Sequence, residues 1–431
     1  MITTDRAIVV EKSVAQNGKA HLPVRENRGL SSQDFIALEE EYGAHIYHPL
    51  DLVVARAEGI WIYDVEGNKY LDFLSAYSAV SQGHCHPRIY KAMVEQAQRA
   101  TLTSRAFRND QTGLFYKELL ALCGMEMMLQ MNTGAEAVDT AIKTARKWGY
   151  LKKGIATDQA EIIVCYGNFH GRTTTVISAS TEPQYREHFG PLTPGFVFVP
   201  YGDAEALAHA ITPNTAAFLL EPIQGEGGIL MPAEGYLTKV SKICREKNVL
   251  LMVDEIQTGL GRTGKLFAYQ HEPEVKPDVL ILGKALSGGF YPVSAVISSK
   301  EILGLFRPGD HGSTFGANPL ACAIGREALK VLIEEKLVEK SAELGQYFMD
   351  RLNTMKSKHV KTIRGRGLFI GVELQPEAGG ARRFCEALRN AGMLCKETHQ
   401  HVIRFAPPLV ITRQDLDWAF ERVKKVLETM D

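Results

Sequence analysis

Lys284 and Asp254 are the residues of this chain whose settings most suggest chemistry. Lys284 stands where the apolar run Val279-Leu-Ile-Leu282 gives out into a glycine-flanked turn, Gly283-Lys-Ala-Leu-Ser-Gly-Gly289. Asp254 follows a second apolar run, Val249-Leu-Leu-Met-Val253, and opens Asp254-Glu-Ile-Gln257. An amine at one strand end and a carboxylate at another fit a pyridoxal phosphate site. The lysine would form the Schiff base, and the aspartate would keep the pyridine nitrogen protonated. Taken singly, each has a plainer reading, a lysine snorkelling from a strand end and an aspartate capping a helix. Together with candidate phosphate ligands elsewhere, they favour the cofactor.

Those candidates begin at Asn132-Thr-Gly-Ala-Glu136, ahead of a helical pattern over 136–148 with Ala137, Ala141, Ala145 and Trp148 on one face. A Thr133-Gly134 turn opening a helix offers free N–H groups and the positive dipole end to an anion. Such turns are ordinary caps when alone; beside a Schiff-base lysine the phosphate reading prevails. In Gly167-Asn-Phe-His-Gly-Arg-Thr173, Phe169 or His170 could lie against a planar ring, and Arg172 could fork onto a substrate carboxylate. Glu221-Pro-Ile-Gln-Gly-Glu226 places two carboxylates just beyond a strand, and Gln257 could reach the ring hydroxyl. Ser313 and Thr314, in His311-Gly-Ser-Thr-Phe-Gly-Ala-Asn-Pro319, offer hydroxyls to phosphate.

Two other motifs read as structural. His84-Cys-His86 places donors at i and i+2 without further clustered ligands, which is weak for a metal, so no metal is expected. Gly365-Arg-Gly367 with Gly371 misses the dinucleotide spacing, and a strand follows it where a helix should.

These residues need a frame. Short apolar runs at 162–165, 196–199, 217–220, 250–253, 279–282 and 293–297 alternate with helical patterns, which predicts an α/β protein with a largely parallel sheet. Ligands of such sheets bind beyond the carboxyl ends of the strands, where Glu221, Asp254 and Lys284 fall. Residues 59–74 read as a hairpin around Glu66-Gly-Asn68. A long helical pattern starts near 320, followed by a strand at 368–374, a helix near 381–391, a strand at 402–405 and a last amphipathic helix from about 413 to 430. The expected organisation is an arm and small-domain segment (1–75, with 1–35 loosely held), a large domain (76–325) and a smaller α+β domain (326–431).

The 431 residues, 45% apolar and 23% charged, describe an ordinary globular protein. With 49 Lys+Arg against 50 Asp+Glu, nothing in the charge implies nucleic acid or an anionic membrane as a partner. Seven cysteines without a C-x-x-C pair suit a reducing compartment. No apolar stretch is long enough for a membrane span. The first residues lack the order of a signal peptide, and Asp5 and Glu11 sit badly in a transit sequence. A cytoplasmic protein is expected, with the mitochondrial matrix left open.

From about Phe35 to the C-terminus the chain resembles the class III pyridoxal phosphate aminotransferases of fold type I. The resemblance rests on Tyr47-His-Pro-Leu50, Gly83-His-Cys-His-Pro87, Asn132-Thr-Gly134, Glu221-Pro-Ile-Gln-Gly-Glu226, Asp254-Glu-Ile-Gln-Thr-Gly259, Gly283-Lys-Ala-Leu-Ser-Gly-Gly289 and Ile403-Arg-Phe-Ala-Pro-Pro-Leu409. It implies that Lys284 holds the cofactor and shuttles a proton, and that Asp254 salt-bridges the pyridine nitrogen. Gln257 would contact the ring oxygen, Phe169 would stack on the ring, and Gly134 and Ala135 would bind the phosphate. Thr314 would reach the phosphate of a neighbouring subunit, making a homodimer with shared sites.

Within the family the likeness is to the branch acting on ornithine. There Tyr47 and Arg172 would hold the α-carboxylate, Tyr77 would occupy the second characteristic tyrosine position, and Arg404 would be neutralised by Glu226 until 2-oxoglutarate arrives. The branches acting on acetylornithine or 4-aminobutyrate are alternatives; a non-catalytic dimeric relative is a remote one. His170 departs from the tryptophan of the animal ornithine enzymes and matches the acetylornithine branch.

Overall fold

The computed structural model describes residues 29–430, and residues up to Val53 and from Val54 onward form two compact units. In the first, Ser31 caps the helix Ser32–Tyr42 in a capping box with Asp34. The loose arm expected over 1–35 thus gives way to a helix from Ser32, and residues 1–28 lie outside the described residues.

The second unit is built on a seven-stranded sheet. Across it run Met127–Met131, Ser294–Ser298, Val279–Leu282, Leu250–Asp254, Thr215–Leu220, Glu161–Cys165 and Phe196–Val199. The last five are mutually parallel, and Ser294–Ser298 runs antiparallel to both its neighbours. The central strands are buried on both faces, which is why they read as unbroken apolar runs. Alternate residues feed two cores: Ile162, Val164, Ala217, Leu219, Met252 and Ile281 face the helix Gly134–Trp148, while Ile163, Phe218, Leu220, Leu251, Val253 and Leu280 pack on the other side. Ala137, Ala141, Ala145 and Trp148 are the buried face of that helix, as their spacing predicts.

Two four-stranded sheets complete the unit. The predicted hairpin is present as Trp61–Asp64 and Lys69–Asp72, flanked by Val54–Glu58 on one side and, in parallel, by Met393–Leu394 on the other. The second holds Val360–Arg366, Phe369–Leu374, Val402–Phe405 and Lys396–Thr398, all antiparallel. Helices Leu337–Leu352 and Arg413–Thr429 pack together beside it.

The helical pattern near 320 is two helices, Pro319–Glu334 and Leu337–Leu352, separated where Lys336 takes a left-handed φ of 54°. Val54–Glu58, Met127–Met131 and Val360–Arg366 are strands that the sequence pattern misses. No residue of the first or the last is buried, so neither carries the apolar run of a core strand. Gly365 and Gly367 lie in the hairpin between Val360–Arg366 and Phe369–Leu374, not ahead of a helix. Among the described residues no helix is long and apolar enough to cross a membrane.

Candidate active site

Register assembles the floor of the site. Leu220 lies opposite Val253, and Asp254 opposite Ile281, so Glu221, Asp254 and Lys284 emerge together at the carboxyl ends of three adjacent strands. Lys284 opens a short 3₁₀ turn with φ at 43°. A non-glycine residue in the left-handed region costs about 1–2 kcal/mol, and such strain collects at functional positions. Lys284, Asp254, Glu221, Glu226 and Gln257 all line one cavity of about 210 Å³. Phe169, His170, Gly134 and Ala135 complete most of its wall, with Gly171, Ile256 and Thr258.

The floor is strongly polarised. Burial pulls the Lys284 ammonium down to about 8, opposed by the charge of Glu226 and reinforced by that of Arg404. Asp254 Oδ2 accepts from His170 Nδ1 at 2.7 Å, and its Oδ1 accepts from the Ile256 N–H at 3.0 Å. Burial alone would lower the His170 pKa; the hydrogen bond and charge of Asp254 raise it on balance. Glu221 accepts from the N–H groups of Phe169 (2.9 Å) and Gly225 (3.4 Å), and burial lifts its carboxyl to about 7.

An ion pair stands behind one wall, where Glu226 lines the cavity and Arg404 and Tyr77 do not. Arg404, 1% exposed, donates from Nη1 to Glu226 Oε1 at 2.5 Å, and its guanidinium carbon lies 4.8 Å from the centre of the Tyr77 ring. Gln257 Nε2 donates to the same Glu226 oxygen at 3.2 Å, and Thr398 Oγ1 donates to the Glu226 carbonyl at 2.6 Å. Burial would raise the Glu226 pKa, but Arg404 and Lys284 hold it below the usual carboxylate value.

Thr133 caps the helix Gly134–Trp148 in a capping box with Glu136, whose N–H it takes up, and Gly134 and Ala135, whose N–H groups have no intrahelical partner, line the cavity. Thr133 is therefore engaged as a cap. Ser313 accepts from Asn132 Nδ2 at 2.8 Å. Ser313 and the exposed Thr314 do not line the cavity of their own chain. Arg172 is exposed beside the cavity wall, its guanidinium 4.5 Å from the Tyr185 ring and 5.9 Å from that of Phe169. Tyr47 belongs to the first compact unit and is 65% exposed.

Pyridoxal phosphate fits what is present. The buried Gln257 Oε1 and His170 Nε2 have no hydrogen-bond partner among the described residues. Gly171, at φ +125°, passes so close to the helix start that a Cβ would fall 2.9 Å from the Ala135 Cβ. An amine, a carboxylate, a flat aromatic wall and a helix N-terminus thus converge on one space.

Residues 42–427 match the family model of the class-III aminotransferases. The chain belongs to the class-III aminotransferases. Members of this family depend on pyridoxal phosphate. The chain is 59% identical to the ornithine aminotransferase of Brevibacillus brevis over 91% of its own length and 97% of the relative's. Among solved structures it resembles the ornithine aminotransferase of Toxoplasma gondii crystallized with oxidized glutathione, described with partial occupancy of PLP at its active site (TM-score 0.91, 47% identity, 92% and 94% of the two chains covered). It also resembles the acetylornithine aminotransferase of Elizabethkingia anophelis (TM-score 0.84, 47% identity, 92% and 98% covered).

Sequence reasoning missed Ile256, Thr258 and Gly171 as lining residues. The first two flank Gln257 in the turn after Asp254, and that turn was the available signal. The contact between His170 and Asp254 spans 84 positions and leaves no local trace.

Proposed function

We propose that this class-III aminotransferase moves the δ-amino group of L-ornithine to 2-oxoglutarate in a ping-pong cycle, giving glutamate 5-semialdehyde and glutamate. The observation that carries the reading is the ion pair between the buried Arg404 and Glu226, the carboxylate of the pair that lines the cavity. Paired, Arg404 presents no net cation to a substrate whose reacting end is itself an amine. Released, it can fork onto the carboxylate of a diacid.

Lys284 would hold the cofactor, Asp254 its ring nitrogen, Gln257 its ring oxygen, and Gly134 and Ala135 its phosphate, with Phe169 against the ring. When bound, pyridoxal phosphate supplies an electron-poor ring that takes up the electrons of a broken C–H bond. Lys284 Nζ, neutral above about pH 8, carries the proton from and back to the substrate carbon. His170 keeps Asp254 oriented, and Glu221 fixes the Phe169 backbone. Arg172 and Tyr47 are assigned to the α-carboxylate of ornithine and Tyr77 to its chain; Arg172 takes the distal carboxylate of 2-oxoglutarate.

Ser313 and Thr314, set away from the cavity of their own chain, suit a phosphate in a second copy, so a homodimer with shared sites is part of the proposal. So are the division into 1–75, 76–325 and 326–431, and residence in the cytoplasm, the latter supported by seven cysteines that all remain free thiols. A second reading, N-acetylornithine as substrate, has support from the Elizabethkingia likeness, and His170 does not decide between the two.

The deciding experiment mixes holoenzyme separately with L-ornithine, N-acetylornithine and 4-aminobutyrate and follows bleaching of the cofactor's visible band. Fast bleaching with ornithine alone, and a coloured pyrroline adduct with o-aminobenzaldehyde, is expected. Faster bleaching with either other amine would overturn the substrate assignment and leave the cofactor site intact.

A further inference from the structure

Ser75, Ala76, Tyr77 and Ser78 have φ of 50°, 47°, 60° and 73°. None is glycine, and each left-handed L-residue costs roughly 1–2 kcal/mol. Four in succession persist only where the surroundings over-determine them. Those surroundings are specific. Asp72, 2% exposed, ends the strand Lys69–Asp72, and its Oδ1 accepts from the N–H groups of Leu74 at 2.8 Å and Ser75 at 2.9 Å. Its Oδ2 lies 2.7 Å from His84 Nε2. A carboxylate only accepts, so the imidazole N–H donates.

His84 is itself fixed by its backbone: His84 and Gly59 exchange N–H···O=C bonds of 2.7 and 2.9 Å. On the other side of the turn, Ser75 Oγ donates to the Ala406 carbonyl at 2.7 Å, and the Ala406 N–H donates to Phe73 at 2.8 Å. Ala406 stands two residues past Arg404, whose guanidinium faces the Tyr77 ring. One carboxylate thus anchors the start of the turn, and the turn anchors the end of the strand that carries Arg404.

We propose that Asp72 and His84 are a positioning pair that, through the left-handed turn, holds the Tyr77 ring on Arg404 and so sets the preference of the site for the diamino acid over the diacid. The inference rests on the roles given above to Arg404 and Glu226. If the turn loosens, Arg404 loses the ring that keeps it against Glu226. The ornithine half-reaction then meets a freer cation, while the glutamate half-reaction, which uses that cation, is spared.

The test uses His84→Ala and His84→Gln holoenzymes in the two half-reactions measured separately. In His84→Ala, kcat/KM for ornithine should fall about tenfold, the order of one hydrogen bond to a charged group, and that for glutamate less than about twofold. His84→Gln, whose amide still donates to Asp72, should recover most of the loss. Equal losses in both half-reactions, no loss in either, or a lower melting temperature with an unchanged ratio would reduce the pair to a structural staple and overturn the proposal. Arg404→Lys separates the two layers of argument. If it leaves the ornithine-to-glutamate ratio unchanged, the assignment of Arg404 fails. If it shifts the ratio while His84→Ala does not, the positioning role alone fails.

Discussion

The floor of the cavity and the cluster behind its Glu226 wall are built on different principles. Lys284, Asp254 and Glu221 stand at the ends of adjacent strands of one sheet, and backbone register alone sets them in a row. Tyr77, Glu226 and Arg404 come from a left-handed turn, a loop and a strand of a second sheet, and they meet through an ion pair and a ring contact. A hydrogen-bonded sheet cannot shift one strand end without breaking its ladder, so it suits a guest that stays in place. An arginine held by one carboxylate and one aromatic face can exchange that carboxylate for a substrate's, and on the proposed function it would serve two substrates that take turns. The difference places permanence in the sheet and choice in the side-chain contacts between sheets.

The largest blow to the floor is Lys284→Ala. Turnover should fall by at least about 10³-fold through loss of the proton carrier, with circular dichroism and noncovalent pyridoxal phosphate binding little changed. Turnover within tenfold of the parent would remove the amine from the mechanism. Both half-reactions should fail together, as expected of the floor.

Glu226→Gln strikes the wall and should separate the half-reactions. Leaving Arg404 without its partner should lower kcat/KM for ornithine about 10²-fold and that for glutamate only a few-fold. Equal losses would mean that the wall does not discriminate. The same variant sharpens the link between wall and floor through pH. Lys284 is an ammonium below about pH 8 and a nucleophilic amine above it, so capture of pyridoxal phosphate by the apoprotein should speed up as pH rises through about 8. The Glu226 charge favours the ammonium, so its removal should move that midpoint downward. A midpoint that stays in place in stopped-flow absorbance would show the two groups to be uncoupled.

The smallest effect is expected at the cradle. Thr133→Ala removes a helix cap and should cost about 1 kcal/mol in denaturant titrations. It should weaken pyridoxal phosphate binding a few-fold and reduce both half-reactions by the same factor. A change in their ratio would contradict the assignment of this helix to the cofactor alone.

The sequence by itself determined what is local. The continuous apolar runs marked strands buried on both faces, and the residues that end them, Glu221, Asp254 and Lys284, were legible as a site because strand ends need no distant partner to be recognised. The helix opening at Thr133-Gly134 was legible for the same reason, since a turn and the helix it starts are neighbours in the chain, while the box that Thr133 forms with Glu136 came from the structure. Residue types and spacing also carried the likeness to the class-III family. Only the tertiary structure decided the pairings. Asp254 finds His170 across 84 positions, Arg404 finds Glu226 across 178, and Asp72 finds His84 across 12 through a turn whose left-handed backbone no residue type announces. Chain proximity fixes an element and its cap, but which carboxylate meets which cation depends on how the sheets close on one another, and that closure is a property of the whole core.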